Sequence, residues 1–557
     1  MDFNRYFNND ELEEFLKKST SNYPTIFSYA VIGKSYENRP IWAVTLTNQA
    51  KGADTEKPAV WIDANIHATE IAGTTTVLYF INRLLTEYGR NSAVTRLLDE
   101  AVYYIVPRVN PDGAALSMAA KPKFIRSGVR WYPWEDKDEG LHPEDIDGDG
   151  RILQMRILDP NGDWKVSSLD ARLMEKRLPE EHGGTYYRLL PEGPVKDYDG
   201  YLIKIAKPWQ GLDFNRNFPF EWRPEDEQTG AGPYPTSEPE IKTLVDFITT
   251  HPNINLCITF HTYSRVILRP YSTRPDEDMD TDDLWVYKKI GERGSKLTGY
   301  PCVSIFHDFK YHPKEVVTGG FDDWLYDHLG IFCYTVELWD LPAESGIKDR
   351  KFIEWYRDHP HEDDLKILYW IDSNAKSSFV DWYLFNHPQL GTIELGGWDV
   401  MYTWRNPPHT QMEKEAVPQA DFLLALGDML PRLSIYNLDV KPLGNDDYHV
   451  NLVIENGGFL PTFTSHQAKK RKATRPVRLE LELPEGVELI NGKRRVELTH
   501  LEGRSNKLDV TMVGDAGPTD NRARYEWVIR APEGSIANLN IISERAGVIH
   551  RELYFKG

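Results

Sequence analysis

Cysteine is almost missing: the 557-residue chain holds three, Cys257, Cys302 and Cys333, each in apolar surroundings, so a disulfide framework is not expected. No run of 18 apolar residues occurs, which excludes a helix spanning a membrane. Positive charge is in deficit. The 65 Lys and Arg against 85 Asp and Glu leave a formal charge of −20, which argues against a nucleic-acid-binding surface and does not oppose cationic substrates. The opening MDFNRYFNNDELEEFLKK lacks both a basic n-region and an apolar h-region and does not read as a secretory signal. A cytoplasmic location is the expectation, with a trimmed, secreted form left open. The oligomeric state is not legible.

What is present suffices for large cores: 40% of residues are hydrophobic and 12% aromatic, over a length that suggests two or three domains. Residues 11–18 predict a helix, and Tyr29–Gly33, Ile41–Leu46, Pro58–Ala64, Val102–Val106, Ile254–Phe260 and Phe332–Val336 predict strands. Helical character runs from about Glu70 to Leu85, and Asn110-Pro111-Asp112-Gly113 reads as a turn. Strands alternating with helices predict an α/β domain with a mixed, largely parallel sheet over residues 1–430. A Gly-, Pro-, Asp- and Trp-rich stretch, residues 114–210, interrupts it as an insertion, whose Trp131, Trp134, Trp164 and Trp209 are expected to pack it onto the main domain. From 431 to 557 the pattern changes to period two, in His449–Ile454, Val477–Leu483, Leu508–Met512 and Ala537–Ile541, predicting an all-β sandwich. Lys469-Lys470-Arg471-Lys472 reads as a solvated hairpin tip.

The chemistry sits in three short strings. His67 and Glu70, in Asn65-Ile66-His67-Ala68-Thr69-Glu70, are three apart; in a first helical turn both would fall on one face and reach one ion. Alone, the pair reads as a capped helix start with a surface histidine. Phe260-His261-Thr262-Tyr263-Ser264 adds a second imidazole at a strand end, and Tyr334-Thr335-Val336-Glu337-Leu338 adds a carboxylate. Two imidazoles and one carboxylate leave a fourth tetrahedral position for water, as a catalytic zinc site requires.

In order along the chain, these strings and several others resemble the M14 zinc carboxypeptidases, the carboxypeptidase A and B group. The others are Ile32-Gly33-Lys34-Ser35-Tyr36-Glu37-Asn38-Arg39-Pro40-Ile41, Asn110-Pro111-Asp112-Gly113, Gly211-Leu212-Asp213-Phe214-Asn215-Arg216-Asn217-Phe218, Ser237-Glu238-Pro239-Glu240 and Gly319-Gly320-Phe321-Asp322-Asp323-Trp324. The resemblance implies that His67, Glu70 and His261 bind Zn2+, that Glu337 is the general base, and that Asp213 orients His67. It implies that Asn215 and Arg216 clamp the terminal carboxylate of a peptide, and that Arg126, with Arg130 as the alternative, polarises the scissile carbonyl. Asp322 stands where the carboxypeptidase B group keeps an Asp at the base of the side-chain pocket, which implies a preference for Lys or Arg; the other reading has it facing solvent or bonding the loop backbone. The family's mobile tyrosine should precede Gly319 by four, where Glu315 stands; Tyr311 is the nearest tyrosine.

The expected activity is therefore removal of one C-terminal residue from a peptide with a free carboxylate, with no nucleic-acid or membrane partner. An amidohydrolase of the same fold acting on acylated amino acids or cell-wall peptides, and an inactive binding protein, are the alternatives. Within the insertion, Asp145, Asp147, Asp149 and Arg151 lie in a string resembling an EF-hand loop, which suggests Ca2+ as a second ion. Position twelve is Arg156 where a glutamate would be expected, and an acidic turn needs no ion.

Overall fold

The computed structural model describes residues 1–133, 139–208, 210–310, 312, 314–348, 350–505, 507 and 518–556. Trp134, Trp209, Tyr311 and the strand expected at 508–512 lie outside the described residues.

Helix α1 (Asn9–Asn22) opens the chain, its start closed by a capping box in which the Asn8 side chain and Glu11 exchange hydrogen bonds with each other's backbone. An eight-stranded sheet follows: β1 (Phe27–Lys34), β2 (Pro40–Leu46), β3 (Ala59–Ala64), β4 (Val102–Val106), β5 (Ile254–Thr262), β6 (Val266–Arg269), β7 (Cys302–Ser304) and β8 (Phe332–Leu338). Their spatial order is β1-β2-β4-β3-β5-β8-β6-β7. The centre is parallel, β4 with β3, β3 with β5 and β5 with β8, while β1–β2, β2–β4 and β6–β8 are antiparallel. Strands β3, β4 and β5 are buried along their whole length, as continuous apolar runs covered on both faces must be.

The strand ends of this sheet carry the loops of interest. Helix α2 (Ala72–Glu87) begins after the string that holds His67 and Glu70, so the two do not occupy a first helical turn. They sit in the preceding turn, launched by Asn65 in the left-handed region at φ 60°, a conformation asparagine tolerates. Asn110-Pro111-Asp112-Gly113 does not end in a loop either: it starts helix α3 (Pro111–Ser117), with Asn110 accepting the Gly113 amide at 2.8 Å and proline at the first position. Asp112 then accepts from the Ser35 hydroxyl (2.7 Å), the Glu37 amide (2.8 Å) and Arg39 (2.7 Å), which ties the β1–β2 turn to the ligand loops. A side chain at Gly113 would place its Cβ 2.6 Å from that of Ala68, so only glycine lets α3 lie against the His67–Glu70 turn.

The 114–210 stretch does not close on itself. Its strands Gln154–Leu158, Tyr187–Pro191, Trp164–Val166 and Met174–Lys176 join Phe379–His387 and Gly391–Trp398 in one six-stranded sheet, with Glu394 opposite Arg156. Trp131 is half exposed.

Helix α5, following α4 (Phe321–Leu329), spans Met412–Met429 and leads to the all-β part, two four-stranded antiparallel sheets around Val450, Leu452, Leu479, Trp527 and Leu539. Asp447–Asn456 alternates strictly between half-buried and buried side chains, the expected period of two. The Lys469–Arg471 run is no hairpin tip. It lies in helix α6 (His466–Arg471), docked on the α/β part: Arg471 pairs with Asp327, and the His466 and Gln467 amides bind Asp283 at 2.8 and 2.9 Å. Among the described residues no helix is long and apolar enough to cross a membrane.

Candidate metal centre and substrate cleft

His67, Glu70 and His261 converge. His67 Nδ1 lies 3.0 Å from Glu70 Oε1, His261 Nδ1 lies 3.1 Å from Glu70 Oε2, and the two Nδ1 atoms are 3.0 Å apart. Four ligands at about 2.0–2.2 Å around one tetrahedral ion stand slightly farther apart than this, so the donors already mark three corners of such a site. All three residues are buried. Two nitrogen donors and one carboxylate form the set that suits zinc.

Neighbouring groups fix this geometry. Asp213 Oδ1 lies 3.1 Å from His67 Nε2; with the proton on Nε2, Nδ1 presents its lone pair to the ion. Burial works against charge on Asp213, but Arg126, Arg216 and His67 outweigh it and hold the carboxyl well below its usual range. Glu70 behaves likewise: burial opposes ionisation, and His67 and His261 keep it ionised, with the Thr262 amide donating to Oε2 at 3.1 Å.

Glu337, in β8, is directly opposite His261 of β5. Its Oε2 is buried without a hydrogen-bond partner among the described residues. Burial, and then the charge of Glu70, push its pKa well up. A carboxyl group that is ready to hold a proton thus stands beside the ligand cluster.

Arg126 reaches the cluster: its Nε lies 2.8 Å from Asp213 and its Nη1 3.3 Å from Glu70. Arg130 does not. It pairs with Glu238 at 2.6 Å and lies over the Tyr132 ring. Asn215 and Arg216 follow Asp213 in one 3-10 turn, where Asp213 caps the Asn215 amide at 2.9 Å. The Asn215 side chain accepts the Phe321 amide at 2.8 Å, and the Arg216 carbonyl would lie 2.2 Å from a Cβ at Gly319, whose φ is +67°. The clamp residues and the Gly319–Asp323 string therefore build one wall. Asp322 does not face solvent: it is buried, accepts the Thr335 hydroxyl at 3.1 Å and the Asp323 amide at 3.0 Å, and burial raises its pKa.

The acidic loop of the insertion brings oxygens of Asp145, Asp147 and Asp149 within 4.8 Å of one another, and each carboxylate also accepts hydrogen bonds from protein groups. Asp145 accepts the Gly148 and Gly150 amides, Asp147 the Asp149 amide and the Tyr383 hydroxyl, and Asp149 the Arg151 amide and guanidinium. Arg156 pairs with Glu394 at 2.8 Å instead of closing the loop. Calcium is not supported, and an Asp and Gly turn of this kind needs no ion.

Two residues of the site were not foreseen. Asn406 donates to the Thr69 carbonyl at 2.7 Å and accepts the Ala72 amide at 3.0 Å. Next to it Arg405 lies over the Tyr263 ring, 5.1 Å from its centroid. No local pattern in Thr403-Trp404-Arg405-Asn406-Pro407 points to a site more than 300 residues upstream.

The sequence profile of the family described as zinc carboxypeptidase matches residues 12–356. The chain belongs to the zinc carboxypeptidase family. Residues 432–554 match a domain of unknown function (DUF8731). Among known zinc carboxypeptidases, the chain is 26% identical to carboxypeptidase A2 of Rattus norvegicus over 383 residues, 64% of this chain and 72% of the relative. It is 25% identical to carboxypeptidase B2 of Homo sapiens over 365 residues, 63% and 67% of the two chains. The crystal structure of thrombin activatable fibrinolysis inhibitor is similar with a TM-score of 0.43 at 20% identity, covering 76% of this chain and 74% of that one.

Proposed function

We propose that the protein is a metallocarboxypeptidase that removes the C-terminal residue of a peptide, with a preference for basic side chains. The observation that carries the activity is the unpartnered Glu337 Oε2 beside three converging ligand atoms, with a carboxylate-binding arginine on the adjoining wall.

His67, Glu70 and His261 would hold the ion, which when bound supplies Lewis-acid chemistry for acidifying a water and polarising a carbonyl. Glu337 takes the proton of the attacking water on Oε2 and returns it to the leaving amine. Arg126 places a guanidinium where negative charge develops on the scissile oxygen. Arg216, whose planar fork matches both oxygens, binds the terminal carboxylate together with Asn215. Asp322, buried in the same wall and close enough for Arg216 to stabilise its charge, gives a basic side chain its counter-ion.

The test is release of terminal residues, read by mass spectrometry with zinc content measured on the same sample. Peptides ending in Lys, Arg, Phe, Leu or Glu, free or amidated, are compared with and without chelator. Chelator-sensitive release from free termini only, fastest for Lys and Arg, is expected. Release from amidated peptides would remove the carboxylate clamp, and a preference for Phe or Leu would remove Asp322 from specificity.

A further inference from the structure

Arg405 is chemically unfinished. The residue is half-buried, yet among the described residues its guanidinium makes no hydrogen bond and no ion pair; its one contact of note is the Tyr263 ring at 5.1 Å. Arginine carries five donors that cannot be neutralised near neutral pH, and partial burial without an acceptor is unfavourable. In a chain with a net charge of −20, carboxylates are plentiful, yet among the described residues none forms an ion pair with this cation.

Its position is not accidental to the site. The 400–405 turn is fastened by Asn406, which bonds Thr69 and Ala72 on either side of Glu70 and Ile71. Tyr263 follows Thr262, whose amide binds Glu70, and its ring packs edge-on against Tyr356 with centroids 5.3 Å apart. Arg405 therefore has an aromatic floor and a fixed backbone. The electrostatics place it relative to the other arginines: Glu337 feels Arg126 and Arg405, Asp322 feels Arg216, and Asp213 feels both Arg126 and Arg216. Arg216 belongs to the wall that takes the terminal residue, and Arg405 stands on the Tyr263 side of the reacting centre. A peptide held by its terminal carboxylate at Arg216 and crossing Glu337 leads its preceding residues toward Tyr263 and Arg405.

The geometry points to Arg405 as a specificity residue that binds the carboxylate of an Asp or Glu side chain on the residue just before the scissile bond. This rests on the carboxypeptidase reading and extends it to the other side of the bond. A planar fork above an aromatic ring favours a bidentate partner, which a carboxylate provides and an amide matches poorly.

The experiment uses the zinc-loaded full chain and peptides that differ only at the penultimate position, Glu, Gln or Lys. Wild type is expected to favour Glu over Gln by about tenfold in kcat/KM, the scale of one charge-assisted hydrogen bond. In R405Q that ratio falls to about one, and R405K, which keeps the charge but loses the fork, lies between. A ratio near one in wild type, or a ratio that R405Q leaves unchanged, overturns the inference. Calorimetric binding of the same peptides to E337Q separates it from the carboxypeptidase reading. Glu-selective binding that R405Q removes supports Arg405 even where no residue is released; normal release without selectivity overturns Arg405 alone.

Discussion

Asn406 accepts the amide of Ala72 at 3.0 Å across 334 residues of chain. Because Ala72 is the first residue of α2 and no side chain caps that helix from within, Asn406 serves as its distant cap, directly behind Glu70. Asn406→Ala leaves a buried amide and the Thr69 carbonyl unpaired. A stability loss of about 1–3 kcal/mol in chemical denaturation is expected, together with weaker zinc retention, because the Glu70 turn loses its anchor.

Glu337→Gln should keep the zinc content of the wild type and reduce kcat by roughly 10²–10⁴-fold, the usual worth of a positioned proton carrier. Elemental analysis beside a turnover assay checks both halves. Retained turnover would remove Glu337 as the base.

Asp213→Asn replaces the charged acceptor that fixes the His67 tautomer with a neutral amide that can also donate. Zinc affinity is expected to fall roughly 10–100-fold in a competition assay with a chelating dye. Arg126 and Arg216 also lose a partner, so kcat/KM at saturating zinc should drop as well.

Much of this site was legible in the sequence because the chemistry demands particular residues in a particular order. His67, Glu70, His261 and Glu337 sit at or just past the ends of buried apolar strands, and Val102–Val106 was delimited to the residue by its flanks. The misreadings share a cause: the deciding partner lies far away. Lys469–Arg471 looked like a hairpin tip because locally it is a charge run; the three residues are exposed, as a charge run should be, but they lie in a helix, and the partner of Arg471, Asp327, belongs to the α/β part. Asn110–Gly113 looked like a turn because its four residues favour turns and helix starts alike, and only packing of Gly113 on Ala68 distinguishes them. Arg405 and Asn406 carried no signal at all.

Glu415, on α5, is buried with Oε1 unpartnered among the described residues, and burial raises its pKa from 4.5 to about 7, against weaker lowering by Arg265. The folded-state value lies above the unfolded one. Its contribution is therefore fully present below about pH 4.5 and is lost as the pH rises through about 7. Relative to Glu415→Gln, wild type should lose on the order of 2–3 kcal/mol between pH 5 and pH 8 in denaturant titrations. A difference that does not change with pH would show that Glu415 is not protonated in the fold.

The six-stranded sheet that joins the insertion to the 391–398 strand also sets a schedule. Arg156 and Glu394 are partners 238 residues apart, so while the chain is being synthesised the Gln154–Leu158 strand has one edge without its neighbour. At roughly 5–20 residues per second that edge waits on the order of tens of seconds. For that interval the nascent protein exposes a strand edge able to pair with other chains, a hazard that a chaperone at the ribosome would cover.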